Sequence, residues 1–445
     1  MTLRITHVSS SDVTGGAARC AYRLHRGLRA LGHDSRMLVK QRWSSDASVD
    51  VFERGQGWRH KAERRVRRWH IRRAHARYRK TRPAWPERFS DDRSWYWASP
   101  VPQLETSDII NLHWVAGFVD YRNFFDNAAE CAPLVWTLHD MNAFTGGCHY
   151  DDGCGRYREY CGACPQLGSE DDRDLSRQVW ARKKECFEGL APERLHFVTP
   201  SRWLAEGIRS SSLLGERFEV SVIPYGVDTD CFAPRDKTTA RAALGIPAHA
   251  KVVLFVAQAV EVRRKGFSLL MDALGDLELA DLFLVSLGGG KLTVPTSVPH
   301  VHLGHTSEDR HVSLIYSAAD LFVIPSLEDN LPATMLEALA CGTPVVGFAV
   351  GGIPDAVRPG VTGALAPPED VRALREAVRQ LLVEPARLQK LAANCRRIAV
   401  EEYDLEVQAR RYETLYEALR SAVVQGKRNS TRRARQFETA PSGVA

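Results

Sequence analysis

Short apolar runs alternate with helical patterns along the first half of the chain. They occupy residues 3–8, 35–39, 109–112, 134–138 and 195–198. Between the first two runs, apolar residues recur at helical spacing from Ala21 to Leu31, and Gly32 ends that pattern. Apolar runs that end in polar or glycine-bearing loops are typical of buried parallel strands in an α/β sheet. The first half is therefore predicted to form an α/β domain.

A second series with the same alternation follows. Its apolar runs occupy residues 251–256, 282–285, 321–324 and 344–348. Turn-forming residues at 223–228 lie between the two series. We therefore expect an α/β protein with two Rossmann-like domains, at residues 1–199 and 200–403, that face each other across a cleft. A helix over 404–425 is expected to pack back across a domain, and 426–445 to form a basic, mobile tail.

The net charge of +6 over 445 residues is unevenly distributed. Residues 59–82 contain 12 Lys and Arg against the single Glu63, and residues 426–445 add a further +4. The remainder of the chain therefore carries −9, which makes its body acidic. No apolar run reaches the roughly 18 residues of a spanning helix. Because the start also lacks the apolar core of a signal peptide, we expect a cytoplasmic protein.

Residues 319–346 carry the strongest functional signal, a compact series of strand, polar loop, helix and strand. Pro332 suits the first turn of the helix, and Asn330 is expected to cap it. Ligands of open α/β sheets bind beyond the carboxyl ends of the strands, where a helix N-terminus offers amides to an anion. A phosphate-bearing ligand is therefore expected here. Asp329 and Glu337 lie in the loop and the helix, with seven residues between them.

This pair of carboxylates resembles the signature of the retaining glycosyltransferases of family 4, which more often have Glu at the first position. The resemblance implies the GT-B fold of two facing Rossmann-like domains and a nucleotide-sugar donor. It further implies that Glu337 binds the ribose hydroxyls of the donor. Asp329 and the amides of Asn330 and Leu331 would hold the donor sugar and diphosphate. On spacing alone, Asp329 is equally an ordinary helix-start residue and Glu337 a solvated helix position.

Other segments match the family in the same order along the chain. His139 is expected to contact the donor sugar, and Gly16 lies in a glycine loop that lets backbone approach a ligand. Lys265 is expected to meet the donor diphosphate. Gln258 stands where the family often has Arg, so Arg264 is expected to supply that charge. The alternative for His139 is a structural histidine, and for Gly16 it is a plain tight turn. For Lys265 and Arg264 the alternative is a solvated basic turn.

Cleavage of a nucleotide sugar leaves a charged diphosphate, which the cations and the helix N-terminus would stabilise as it forms. We therefore expect a hexosyltransferase-type reaction that needs no metal cofactor, and the family implies retention of configuration. A nucleotide-sugar epimerase of similar fold is the alternative enzyme. A basic nucleic-acid-binding protein is the alternative outside the enzymes. No nucleic-acid partner is expected, because the cleft motif would then have no use.

Cysteines cluster in a glycine-rich segment at residues 146–165. They are Cys148, Cys154, Cys161 and Cys164. The last two have zinc-site spacing, whereas the first two are farther apart than usual. A structural zinc ion, reduced thiols and disulfide or cluster chemistry are the alternatives. A similar loop occurs in a subset of the family linked to bacterial exopolysaccharide synthesis of the colanic-acid type, which this chain resembles.

The basic segment at 59–82 is predicted to be helical until Pro83, with Trp69 and other aromatic residues among its cations. Basic residues with interfacial aromatics suit an anionic membrane surface, and a solvated charge run is the alternative. The sequence thus predicts a retaining glycosyltransferase that takes a UDP- or GDP-sugar and a glycan or lipid-linked acceptor. It would act in polysaccharide biosynthesis, as a peripheral protein on the inner face of the cell membrane.

Overall fold

A computed structural model gives the fold, and every structural statement refers to the part of the chain that it describes. The described residues are 2–53, 57–83, 87–96, 102–128, 132–290 and 298–438. The end of the predicted basic tail, residues 439–445, lies outside them.

The first domain is built on a seven-stranded parallel sheet with the order β3-β2-β1-β4-β5-β6-β7. Its strands are β1 (Arg4–Ser11), β2 (Asp34–Gln41), β3 (Val49–Val51), β4 (Ile109–Leu112), β5 (Leu134–Thr137), β6 (Leu195–Thr199) and β7 (Val220–Val222). Ile110 and Leu134 pack into one apolar core, whereas their neighbours Ile109 and Val135 pack into another. Both faces of the sheet are therefore covered, which explains why apolar residues of its central strands are buried on both sides.

The second domain repeats this architecture on a six-stranded parallel sheet with the order β10-β9-β8-β11-β12-β13. Its strands are β8 (Lys251–Ala259), β9 (Leu282–Gly289), β10 (His300–His302), β11 (Leu321–Ile324), β12 (Val345–Phe348) and β13 (Gly363–Ala366). Leu254 and Phe322 lie in one core, and Val253 and Leu321 in the opposite one. The predicted fold of two Rossmann-like α/β domains is confirmed.

Helices connect the strands and cover both faces of each sheet. In the first domain they are α1 (Gly16–Ala30), α2 (Trp58–Ala76), α3 (Pro102–Glu105), α4 (Tyr121–Ala128), α5 (Leu175–Glu188) and α6 (Arg202–Arg209). In the second they are α7 (Lys237–Ala243), α8 (Phe267–Gly275), α9 (Asp309–Ala318), α10 (Ala333–Ala340), α11 (Ile353–Ala356), α12 (Val371–Leu382) and α13 (Pro385–Tyr403). The last helix, α14 (Leu405–Glu438), follows α13 directly.

The first sheet extends past the predicted boundary at residue 199. Helix α6 returns the chain to the sheet edge, where β7 pairs with β6. Only three residues form β7, and none of them is buried. A strand this short and exposed has no apolar signature, so its place in the first sheet is visible only in the folded chain.

Helix α14 packs back onto the first domain. The hydroxyl of Tyr412 lies 2.9 Å from that of Thr137, and Asn111 donates to the hydroxyl of Tyr416 at 2.7 Å. The helix continues through Glu438, so the segment predicted to be a mobile tail is helical that far. It contains no proline before Pro441 and is rich in Arg, which is a good helix former.

The basic segment forms α2, which ends at Ala76, before the predicted stop at Pro83. Ile71 is its buried residue, while Trp58 and Trp69 are 75% and 53% exposed. In the described part of the chain, no helix is both long enough and apolar enough to span a membrane.

Candidate active site

The loop between β11 and α10 lies at the carboxyl end of the second sheet. Strand β11 is buried throughout, and α10 begins directly after Pro332. Two glycines lie against this loop. A Cβ on Gly351 would be 1.7 Å from the carbonyl oxygen of Asp329, and one on Gly352 would be 1.9 Å from that of Asn330. No side chain therefore fits at either glycine while the loop keeps this position.

Asn330 links the two domains, whereas the sequence predicted that it would cap α10. No side chain caps this helix, and Pro332 occupies the N-cap position. The Asn330 amide donates to the carbonyl oxygen of His139 at 3.1 Å, and its Oδ1 accepts from the hydroxyl of Ser201 at 2.6 Å. The cap prediction was wrong because α10 starts too late for Asn330 to reach its first amides.

The cations expected to meet the donor diphosphate converge on Asp329. Lys265 Nζ donates to Asp329 Oδ2, the hydroxyl of Ser326 donates to the same oxygen at 3.2 Å, and Arg264 Nη1 lies 3.8 Å from Oδ1. Burial raises the pKa of the Asp329 carboxyl, but Lys265 and Arg264 outweigh that effect and hold it below its usual value. Asp329 is therefore an ionised residue between two cations.

Arg264 takes its orientation largely from the first domain. Its guanidinium carbon lies 3.8 Å from the centroid of the Tyr150 ring, and Nε donates to Glu87 Oε1 at 3.1 Å. In its own domain, Nη1 donates to the carbonyl oxygen of Glu328 at 2.7 Å. Because its side chain is only 16% exposed, Arg264 is a fixed charge in the cleft and not part of a solvated turn.

Glu337 is buried on α10, with 6% of its surface exposed, so it is not a solvated helix position. Its Oε1 accepts from Arg23 Nη2 at 2.7 Å, and its Oε2 accepts from the hydroxyl of Tyr316 at 3.3 Å. Arg23 belongs to α1 of the first domain. The two carboxylates of the predicted signature, Asp329 and Glu337, are thus each paired with a buried or partly buried cation.

His139 ends a row of three histidines, of which His7 lies on β1, His113 follows β4 and His139 follows β5. Its Nε2 lies 3.1 Å from His113 Nδ1, and His113 Nε2 lies 2.9 Å from His7 Nδ1. On the other side, His139 Nδ1 lies 2.7 Å from the hydroxyl of Tyr225. Burial lowers the pKa of His139 to about 4, so its ring is neutral at pH 7. Both ring nitrogens bond within the protein, and contact with a donor sugar stays a prediction.

The predicted glycine loop leads into α1 and faces the second domain. Gly15 has a φ of 91°, and Gly16 is the first residue of the helix. A Cβ on Gly15 would lie 4.0 Å from Gln258 Oε1, across the cleft. Leu331, also predicted at the site, is 2% exposed in the core of the second domain. Leu331 can therefore offer a ligand only its backbone.

The four predicted cysteines line one small cavity in the first domain. They are Cys148, Cys154, Cys161 and Cys164. Burial raises the pKa of the Cys161 thiol to about 12, so this thiol is protonated at neutral pH. Among the described residues, no group of three or more His, Cys, Asp or Glu side chains is arranged to hold a metal ion. The zinc site stays a prediction.

Metal analysis separates the alternatives for these cysteines. If the four cysteines are reduced thiols, we expect less than about half an equivalent of zinc in protein purified without an affinity-metal step. Titration of thiols in the denatured protein, with and without prior reduction, tests for disulfides. A full equivalent of zinc, lost in a variant with Cys161 and Cys164 both replaced by Ser, would contradict this expectation.

Several contacts of the site come from residues that the sequence did not indicate. They are Arg23, Glu87, Tyr150, Ser201 and Tyr225. All of these residues precede the second sheet in the chain, and their partners lie far away in sequence. Tyr150 lies within the cysteine-rich segment at residues 146–165 and Tyr225 within the turn-forming segment at 223–228, but neither was predicted to contact the site.

Comparison with known proteins identifies the second domain. Residues 250–384 match the family model for glycosyl transferases group 1. A D-inositol 3-phosphate glycosyltransferase 1 of Catenulispora acidiphila is 31% identical over 310 residues, which cover 64% of this chain and 66% of the relative. A D-inositol 3-phosphate glycosyltransferase of Mycobacterium bovis is 35% identical over 290 residues, which cover 62% of this chain and 54% of the relative. The chain thus spans between about half and about two thirds of these relatives.

Solved structures resemble the whole chain. A sucrose-phosphate synthase from Thermosynechococcus elongatus has a TM-score of 0.63 at 20% identity and covers 94% of this chain and 99% of its own. Anabaena HepE in complex with UDP and glucose has a TM-score of 0.61 at 18% identity. The match covers 93% of this chain and 99% of the HepE chain. At these identities the likeness is one of fold. Residues 250–384 of the second domain therefore match the group 1 glycosyltransferase family, and the chain as a whole has the GT-B glycosyltransferase fold.

Proposed function

We propose that this protein transfers a sugar from a UDP- or GDP-sugar to a glycan or lipid-linked acceptor with retention of configuration. The observation that carries the proposal is the convergence of Lys265 and Arg264 on Asp329 at the carboxyl end of the second sheet, with Glu337 buried in the helix that follows. This is where open α/β sheets bind nucleotides. Two cations for a diphosphate and one carboxylate for a ribose match the chemistry of such a donor.

In the proposed reaction the protein acts chiefly through positioned charge. Glu337 accepts hydrogen bonds from the ribose hydroxyls, and Lys265 and Arg264 bind the diphosphate. The bond between the sugar and the diphosphate breaks, a bond from the acceptor oxygen to the sugar forms on the same face, and the acceptor proton passes to the departing phosphate oxygen. The cations stabilise the negative charge that grows on the diphosphate. No metal is needed for this role, so we propose metal-independent transfer.

A screen of nucleotide sugars tests the proposal directly. We expect one UDP- or GDP-sugar to raise the melting temperature, because a ligand that binds the folded state stabilises it by mass action. Transfer from that donor should persist in excess chelator. Interconversion of donors without an acceptor would instead favour the epimerase. Salt-sensitive binding of nucleic acid without any response to donors would favour a nucleic-acid-binding protein.

The acceptor is the least defined part of the proposal. The cysteine-rich segment supports a glycan acceptor in exopolysaccharide synthesis of the colanic-acid type. The curated relatives are named for D-inositol 3-phosphate, which is therefore the second acceptor to test. Product analysis with both acceptor types and the donor selected above distinguishes them.

We also propose that α2 binds an anionic membrane surface. Trp58, Val66 and Trp69 lie along its outer side and are 75%, 56% and 53% exposed. Cations accompany them, and the guanidinium carbon of Arg73 lies 5.4 Å from the centroid of the Trp69 ring. Exposed apolar residues among arginines suit the interface of an anionic bilayer.

Liposome flotation tests this surface. We expect the protein to float with vesicles that contain phosphatidylglycerol, and to stay unbound with purely zwitterionic vesicles or at high salt. Replacing Trp69 with Ser should weaken binding several-fold. The matched control is Trp43→Ser, since Trp43 is also 65% exposed but lies outside α2. Equal losses in the two variants, or binding that ignores lipid charge, would contradict the proposal.

A further inference from the structure

Helix α1 directs two arginines, one turn apart, at the second domain. Arg19 donates to Asp309 at the start of α9, and Arg23 donates to Glu337 on α10. The Arg19 side chain is 30% exposed, whereas that of Arg23 is 6% exposed. Arg23 Nη2 also lies 3.7 Å from Asp309 Oδ2. One helix thus supplies a half-exposed ion pair and a buried one across the same domain interface.

The buried pair leaves Glu337 little freedom. Its side chain is 7% exposed, and the guanidinium carbon of Arg23 lies 5.2 Å from the centroid of the Phe232 ring. The second oxygen of Glu337 accepts from the hydroxyl of Tyr316. A charge withdrawn from water is tolerated only with a partner. Arg23 therefore determines where the Glu337 carboxylate points.

We infer that Arg23 is a positioning residue of the donor site, which holds Glu337 in the orientation that recognises the ribose of the nucleotide. The inference rests on the proposed function, in which Glu337 binds the ribose hydroxyls. Each carboxylate oxygen has two lone pairs. Arg23 and Tyr316 occupy one lone pair on each oxygen and leave the others to accept from two neighbouring hydroxyls.

The contact between Arg23 and Glu337 makes the ribose site depend on both domains. Glu337 belongs to the second domain and Arg23 to the first, so the ribose site is complete only while the two domains are in contact. Recognition of the ribose is therefore coupled to the closed arrangement of the domains. A nucleotide without the 2′-hydroxyl loses a hydrogen bond at the carboxylate that this contact positions.

The test compares UDP and GDP with 2′-deoxy-UDP and 2′-deoxy-GDP by isothermal titration calorimetry. Wild-type protein should prefer the ribonucleotide by about 10- to 100-fold, the usual effect of one hydrogen bond to a charged group. Arg23→Met should reduce this preference to about threefold or less. The matched control Arg19→Met removes an ion pair from the same helix without touching Glu337, and should keep the wild-type preference.

The outcomes separate the inference from the proposed function. A folded Arg23→Met protein that keeps the wild-type preference overturns the inference alone. If that variant does not fold, Arg23→Lys decides, since a lysine keeps the charge but not the guanidinium geometry, and an unchanged preference again overturns it. Wild-type protein that binds no nucleotide overturns the proposed function and the inference with it. Binding without ribose preference overturns the role of Glu337 and hence that of Arg23.

Discussion

Replacing Lys265 with alanine should lower turnover by about 100- to 1000-fold, the usual effect of removing one group that stabilises transition-state charge. The Lys265 ammonium is aimed at Asp329 in the cleft, where a diphosphate would meet it directly. Arg264 would remain, but it is held by Glu87 and Tyr150 and has no freedom to take over the vacated position. The donor KM should change less than kcat, because cleavage adds negative charge to the diphosphate and the lost cation would stabilise that added charge in the transition state.

Steady-state kinetics and thermal melting together check this prediction. The melting temperature should fall, since Asp329 loses its closest cation while it is 5% exposed. The matched control is Arg263→Ala in the same turn. Arg263 and its partner Asp152 are 59% and 62% exposed, so removing this pair should change turnover little. Equal losses in the two variants would mean that the turn acts only through its general positive charge.

The sequence predicted the interior of both domains well because buried parallel strands have a strong signature. Four-residue strands such as β4 and β11 are buried at every position and were located to the residue. Strands β3 and β7, at the two edges of the first sheet, contain only three residues and are largely exposed. Where burial does not constrain composition, the pattern of apolar positions holds no information on pairing.

The residues of the candidate site also fall into those that the sequence could predict and those that it could not. Asp329 and Glu337 lie in one short loop–helix segment and Lys265 lies in a separate short turn, so each could be assigned from its local sequence and the family resemblance. Arg23 and Tyr150 could not be predicted, because their contacts depend on how two separately folded domains meet. Interdomain packing is decided by surfaces whose residues are scattered along the chain. No short motif encodes it.

Glu337→Gln should raise the donor KM by about 10- to 100-fold with a smaller change in kcat. The amide replaces one acceptor oxygen by a donor nitrogen, so the site loses part of its ability to accept from the ribose hydroxyls. The ribose is remote from the bond that breaks, so ground state and transition state lose the same interaction. Initial rates over a range of donor concentrations give both constants. A fall in kcat at unchanged KM would contradict the assignment of Glu337 to the ribose.

The stability of the same variant tests the buried pair independently of any substrate. Glu337→Gln leaves the 5% exposed Arg23 with only the more distant carboxylate of Asp309, 3.7 Å from Nη2, and breaking a buried pair costs up to about 3–5 kcal/mol. The double variant Arg23→Met, Glu337→Gln should lose less stability in urea than the sum of the single variants, because neither charge is then left unpaired. Arg263→Ala combined with Glu337→Gln should be additive, since Arg263 pairs with Asp152 and shares no partner with Arg23 or Glu337. Additivity in both double variants would mean that Arg23 and Glu337 do not act as a pair, and the donor site would then be built by the second domain alone.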